Sequence, residues 1–334
     1  ANEPVIITLT HNGLIKRTNL TEYRAQRRGG KGVIGMATKT KSVIEGKNKD
    51  FVEHLFTAST HDYLMFFTNT GRVFVERVHE VPEMSRTSQG RGIANVLELQ
   101  PKEKIAALIR VESHSDEKKK DTTWEQSGFL LFATENGTIK KTELSAFKNH
   151  RKGGIRAIKI LEEDRLIEVK LTTGENNVIL ITRNGKSIRF NETDARSMGR
   201  VTTGVRGISL ANDDKVVGLS IIEEGATLLV PSEKGIGKRT TFEEYRQQTR
   251  GGKGIITMRT TDKTGGIVGA LTVHDHDEIM LITVGGQMVR IKVDDVRETG
   301  RNTMGVKLVE TGKKDKLQAI APVISEENED EDAE

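Results

Sequence analysis

Val5-Ile6-Ile7-Thr8-Leu9, followed by His11-Asn12-Gly13, is a β-rich apolar run ending in a turn, and its reading decides the fold because the pattern returns five more times. The later turns are Asn69-Thr70-Gly71, Glu135-Asn136-Gly137, Arg183-Asn184-Gly185, Glu233-Lys234-Gly235 and Gly285-Gly286, the last after Glu278-Ile279-Met280-Leu281-Ile282. Asn-Gly between β-rich runs signals a hairpin, because both turn residues tolerate positive φ. Successive turn glycines lie 58, 66, 48, 50 and 51 residues apart. Polar insertions around Thr38–Asp50 and Ser113–Ser127 account for the two long intervals, which leaves a period near 50. A second glycine follows each turn at a near-constant distance, at Gly32, Gly92, Gly154, Gly207, Gly254 and Gly305, and opens a further run such as Val33-Ile34 or Ile255-Ile256. Four short strands per unit is the natural count.

Units of this size cannot bury both faces alone, whereas stacked radially they cover one another and leave only short edges. The expected architecture is therefore all-β, a six-bladed propeller-like ring, with a linear β-solenoid as the competing geometry. The expected blades are roughly 1–50, 51–112, 128–170, 171–220, 221–272 and 273–323, followed by an acidic disordered tail, 325–334. Helical periodicity is nearly absent; Leu20–Arg24 and Thr241–Tyr245 are single helical turns at most.

Composition narrows the function classes. Hydrophobic residues make up 35% of the 334, and the 33 glycines bring the sum to about 45%, enough for a sizeable core. No run approaches the roughly 18 apolar residues of a membrane span. The absence of cysteine removes disulfides, thiolate metal sites and cysteine nucleophiles, and suits a cytoplasmic setting. Ala1-Asn2-Glu3-Pro4 has neither the charged nor the apolar region of a signal peptide. The formal charge of +4 conceals an asymmetry: Ser325–Glu334 holds seven acids and no base, so the rest carries 52 bases against 41 acids, a net +11. A basic body with an acidic tail suits a polyanion binder with a built-in competitor; a solubilising end is the other reading.

The sharpest motif is Gln26-Arg27-Arg28-Gly29-Gly30-Lys31-Gly32, which recurs 222 residues later as Gln248-Thr249-Arg250-Gly251-Gly252-Lys253-Gly254 and more faintly as His150-Arg151-Lys152-Gly153-Gly154. Paired glycines let a main chain approach a phosphate and aim amides at it, while Arg and Lys supply charge. Glycine after Lys31 and Lys253, and no following helix, exclude a nucleotide P-loop. The residue four after the turn glycine is Arg17, Lys141, Arg189, Arg239 and Arg290 in five units, with Val75 the exception. Charge repeated at one structural position predicts a cationic stripe around the ring. Arg86 and Arg91, Lys148 to Lys152, Arg196, Arg200 and Arg206, and Arg297 and Arg301 continue it in the loops. His274-Asp275-His276-Asp277 lacks a convergent third ligand for a metal. Tyr23 and Tyr245, equivalent across the repeat, suggest packing rather than a covalent nucleophile. Trp124 is expected to anchor the insertion carrying Lys118-Lys119-Lys120.

Gln26–Gly32 matches in full the gyrase-A box, and the whole chain resembles the C-terminal domain of the gyrase A family of type IIA topoisomerases. The resemblance implies a six-bladed β-pinwheel, a disc of four-stranded blades that exchange strands. It implies that Gln26, Arg27, Arg28, Gly29, Gly30, Lys31 and Gly32 contact DNA, with the basic residues of other blades, Lys253 among them, touching phosphate less specifically. It further implies that the disc wraps double-stranded DNA with positive handedness within an A2B2 complex of gyrase A and gyrase B chains, associated with the nucleoid. ATP and Mg would then be used in other domains, and this chain would hold no catalytic residues, metal or cofactor. The related topoisomerase IV domain, presenting DNA for decatenation, is the nearest alternative. A protein-binding scaffold or an enzyme on a propeller are the others.

Overall fold

The computed structural model describes residues 1–21, 50–85 and 87–323. In them the repeats form six antiparallel sheets. Each sheet is centred on the hairpin read from the sequence, from Pro4–Thr10 with Leu14–Asn19 in the first blade to Glu278–Thr283 with Met288–Lys292 in the sixth. All six turn glycines have φ between +81 and +93°, so these turns require glycine's left-handed freedom.

A third strand pairs with the other edge of each hairpin: Val52–Ser59, Ile105–Val111, Leu166–Thr172, Val216–Ile221, Leu271–Val273 and Leu317–Val323. These inner strands surround a central cavity of about 840 Å³ lined by all six blades. Phe51, Ile282 and Ala321 share one apolar cluster that joins the sixth blade to the first. The ring is thus closed, which excludes the solenoid. Val52–Ser59 belongs to the first blade, so that blade ends near residue 60 rather than at 50, because its inner strand follows the insertion.

In the first five sheets the outermost strand is two residues long and comes from the next repeat. Arg91–Gly92 pairs with Leu14–Asn19, and Ile155–Arg156, Val205–Arg206, Ile255–Ile256 and Val306–Lys307 do the same for the second to fifth blades. The sixth sheet has three strands among the described residues. The incoming strand docks on the turn glycine: Thr257 donates its amide to the Gly185 carbonyl at 2.8 Å, and a Cβ on Gly185 would lie 2.1 Å from the Met258 carbonyl. Two of the second glycines are corrected. Gly154, Gly254 and Gly305 precede their outer strands at positive φ, but in the second and fourth blades Gly90 (φ +89°) and Gly204 (φ +105°) hold that place, not Gly92 and Gly207.

Sheets pack face to face around the ring, so the hairpins of the first five blades are largely buried on both faces and their first strands read as continuous apolar runs rather than alternating ones, while Met288–Lys292 of the sixth stays partly exposed. Tyr63–Thr68 is buried throughout. Phe67 meets Phe132 and Phe147 of the next blade edge-on, at 5.4 and 6.4 Å between ring centres. Trp124, 5% exposed, packs on Tyr63 and His150 and ties the Ser113–Ser127 insertion to the second and third blades, as its position suggested.

Candidate nucleic-acid interface

The strand pleat decides what each repeated cation can reach. The position four after the turn glycine does not form a solvent-facing stripe, and that expectation is corrected. Its side chains clamp the short 3-10 turn of the following blade. Arg17 Nε donates to the Val81 carbonyl at 2.7 Å, Lys141 Nζ to Glu192 at 3.0 Å, Arg189 Nη1 to Phe242 at 2.9 Å, and Arg239 Nε to Val296 at 2.9 Å. Lys141 and Arg239 are only 6% and 7% exposed. The physical reason is that this face of the hairpin is covered by the neighbouring sheet, where a cation must satisfy its donors on main-chain carbonyls. Arg290, on the sixth blade, is exposed and pairs with Glu278.

One position earlier the structure shows a device the sequence reading missed. Lys16, Lys140 and Lys238, in the first, third and fifth blades, are almost wholly buried. Each reaches into the perimeter loop of the next blade: Lys16 to the carbonyls of Ser85 and Ser88, Lys140 to Gly199 and Arg200, Lys238 to Gly300, Arg301 and Thr303. The alternate blades place Phe74, Ile188 and Val289 there. Burial pulls the Lys140 ammonium down to about 7 and Lys238 to about 8. The available signal was the second cation beside the repeated one, in Lys16-Arg17, Lys140-Lys141 and Lys238-Arg239, since adjacent strand residues point to opposite faces.

Because the inner strands line the axis, the two-residue outer strands and the loops entering them form the perimeter. Loop is tied to loop along it. Arg200 Nη1 donates to the Arg156 carbonyl at 2.8 Å, Arg250 to Asp194 and Arg206, and Arg301 to Ile256 at 2.6 Å. Main-chain bonds run parallel, from Lys159 to Thr202, Ser209 to Gly252 and Arg259 to Thr303. Arg200, Arg250 and Arg301 therefore act as stitches, half-buried. On the same perimeter Arg91, Arg151, Lys152, Arg196, Arg206, Lys253 and Arg297 are exposed, and their side chains make no hydrogen bond or ion pair with the described residues, although Lys152 lies close enough to Glu76 to act on it electrostatically.

The copy of the box in the fifth blade shows what its glycines do. Gly251, at φ +88°, donates its amide to the Gly207 carbonyl at 2.7 Å, and Ser209 takes the carbonyls of Gly251 and Gly252. The pair packs loop against loop, and Lys253 is the charge left facing out. Gln26, Arg27, Arg28, Gly29, Gly30, Lys31 and Gly32 lie outside the described residues, as do Tyr23, Arg86 and the tail at 325–334.

Other candidates resolve locally. Tyr245 is buried, bonded to Thr257 at 2.6 Å, and burial pushes its hydroxyl up to about 12, which suits packing and not nucleophilic attack. His274 pairs with Glu223, Asp275 with Arg239 and His276 with Asp294. Among the described residues no group of three or more His, Cys, Asp or Glu is placed to hold a metal, and no helix is long and apolar enough to cross a membrane.

The family model "DNA gyrase C-terminal domain, beta-propeller" matches six successive segments, 4–57, 62–112, 128–173, 176–223, 227–274 and 277–324. The DNA gyrase A protein of Mycobacterium bovis is 40% identical over 332 residues, covering 99% of this chain and 38% of that protein. Its Escherichia coli K12 counterpart is 41% identical over 331 residues, covering 98% and 36%. The chain thus spans little more than a third of the length of these curated relatives. Among solved structures, a topoisomerase IV C-terminal domain superposes with TM-score 0.80 at 28% identity, covering 100% of this chain and 97% of that one. A DNA gyrase A C-terminal domain superposes with TM-score 0.73 at 25% identity, covering 96% and 100%.

Proposed function

Because the chain belongs to the DNA gyrase C-terminal domain family, we propose that it binds duplex DNA along its perimeter and bends it into a wrap of positive handedness. The observation that supports this best is the succession of hydrogen-bonded perimeter loops from the third blade to the sixth, bearing exposed Arg151, Lys152, Arg206 and Lys253, with Arg91 exposed on the second-blade loop. Their spacing by blades offers phosphate contacts at regular intervals, without side chains arranged to read bases.

The energetics allow it. Bending about 40 base pairs through a half-circle costs on the order of 10 kcal/mol by elastic reasoning. A rim neutralising about 10 phosphates gives a log affinity falling with log salt at a slope near −9, enough to offset that bend at low salt. Within the whole enzyme the wrap would deliver a neighbouring segment to the strand-passage gate, so that ATP hydrolysed with Mg in the gyrase B partner introduces negative supercoils. The relatives at 40% identity over nearly the whole chain are gyrase A proteins, which favours this role over presentation for decatenation, although the topoisomerase IV domain shares the fold. The box at Gln26–Gly32 would set the handed path. Neutralising Arg27, Arg28 and Lys31 in the intact enzyme is expected to abolish supercoiling and spare ATP-independent relaxation; undiminished supercoiling would refute the assignment.

A further inference from the structure

The turns held by Lys140 and Lys238 share one orientation. In a trans peptide the carbonyl and the amide hydrogen point in opposite directions, so a turn whose carbonyls converge on a buried ammonium presents the matching amides on its outer side. Gly199 and Arg200 give their carbonyls to Lys140, which turns the amides of Arg200 and Val201 outward. Neither amide has a partner among the described residues, and Val201 is 67% exposed. In the sixth blade Gly300 and Arg301 give their carbonyls to Lys238. Here the outward amide of Arg301 already holds an anion, Glu244 Oε2, at 2.7 Å. Glu244 stands nine residues after the turn glycine Gly235; nine after Gly137, at the equivalent position of the third blade, stands Ala146.

We infer that the Gly199–Thr202 turn is an open seat for one phosphate of the DNA backbone, and that the Gly300–Thr303 turn is the same seat plugged by the Glu244 carboxylate. The inference rests on the DNA-binding reading and adds main-chain contacts to it. Both turns are preformed: the Thr202 hydroxyl donates to the Gly199 carbonyl at 2.8 Å and the Thr303 hydroxyl to Gly300 at 2.8 Å. Successive outward amides make an anion-binding concavity, and Arg196 and Arg206 stand exposed in the same loop. Glu244 in the sixth blade shows the oxygen chemistry such a turn accepts.

The seat makes opposite predictions for two substitutions. Ala146→Glu supplies the missing plug and is expected to weaken binding of a 40-base-pair duplex about 5-fold more than Ser145→Glu, which adds the same charge beside it. Glu244→Ala opens the sixth-blade turn and is expected to tighten binding about 5-fold more than Glu243→Ala. Fluorescence anisotropy at fixed salt reads the affinities, and melting curves establish that each variant is folded. Equal effects within the pairs overturn the seat while leaving DNA binding intact; failure of the unmodified chain to bind the duplex overturns both.

Discussion

Replacing Arg151, Lys152, Arg206 and Lys253 together by glutamine separates cations that meet DNA from cations that hold the ring. All four are exposed on the perimeter and their side chains make no hydrogen bond or ion pair with the described residues, so their loss should leave the fold intact. Each phosphate contact contributes about −0.9 to the slope of log affinity against log salt, so the slope should flatten by about 3.6. Between 50 and 200 mM salt, affinity would then fall about 150-fold less steeply than for the unmodified chain. The comparison variant is Lys141→Met, which removes a buried clamp on the Glu192 carbonyl and should lower thermal stability with the slope unchanged. Anisotropy titrations on a linear duplex across a salt series measure both. An unchanged slope in the fourfold variant, or an equal change in Lys141→Met, would refute the division of the basic residues into rim and clamp.

Other expectations concern the scaffold. Gly185→Ala forces a Cβ to 2.1 Å from the Met258 carbonyl at φ +93°, and should cost about 3 kcal/mol or more in urea unfolding; a loss below about 1 kcal/mol would mean that the strand from the fifth repeat does not dock there. Lys140 titrates near 7 when folded, lowered by burial from 10.5, so between those values the unfolded chain binds more protons and stability rises with pH. The stability of the unmodified protein relative to Lys140→Met should accordingly improve from pH 7 to 10, and a flat difference would contradict the lowering of its titration by burial. Trp124→Ala should cost about 3–5 kcal/mol locally, seen as faster proteolysis at Lys118–Lys120 with the salt slope unaltered.

Much of the fold was legible because its signals are local. Positive φ at a hairpin turn demands glycine, and Gly13, Gly71, Gly137, Gly185, Gly235 and Gly286 all meet that demand. Trp124 and Tyr245 were readable as packing residues because a large side chain repeated at one position, or set beside a polar insertion, has few other uses. Long-range facts were less legible. Nothing in Val205-Arg206 or Ile255-Ile256 says that it pairs with the preceding repeat, and in two blades the glycine opening that strand was placed two or three residues late, since Gly90 and Gly92, and Gly204 and Gly207, look alike in a string. The candidate site suffered most. Arg17, Lys141, Arg189 and Arg239 repeat as faithfully as a binding stripe, yet periodicity shows only that a position is equivalent, not which way it faces. With sheets packed on both faces, the pleat turns those side chains into the neighbouring blade.

Relaxing a closed plasmid with a nicking-closing enzyme, at increasing ratios of this chain to DNA, measures whether a duplex follows the rim with one hand. A linking number that rises in proportion to bound protein is the expected outcome. Tight binding with a topoisomer distribution identical to that of free plasmid would contradict it.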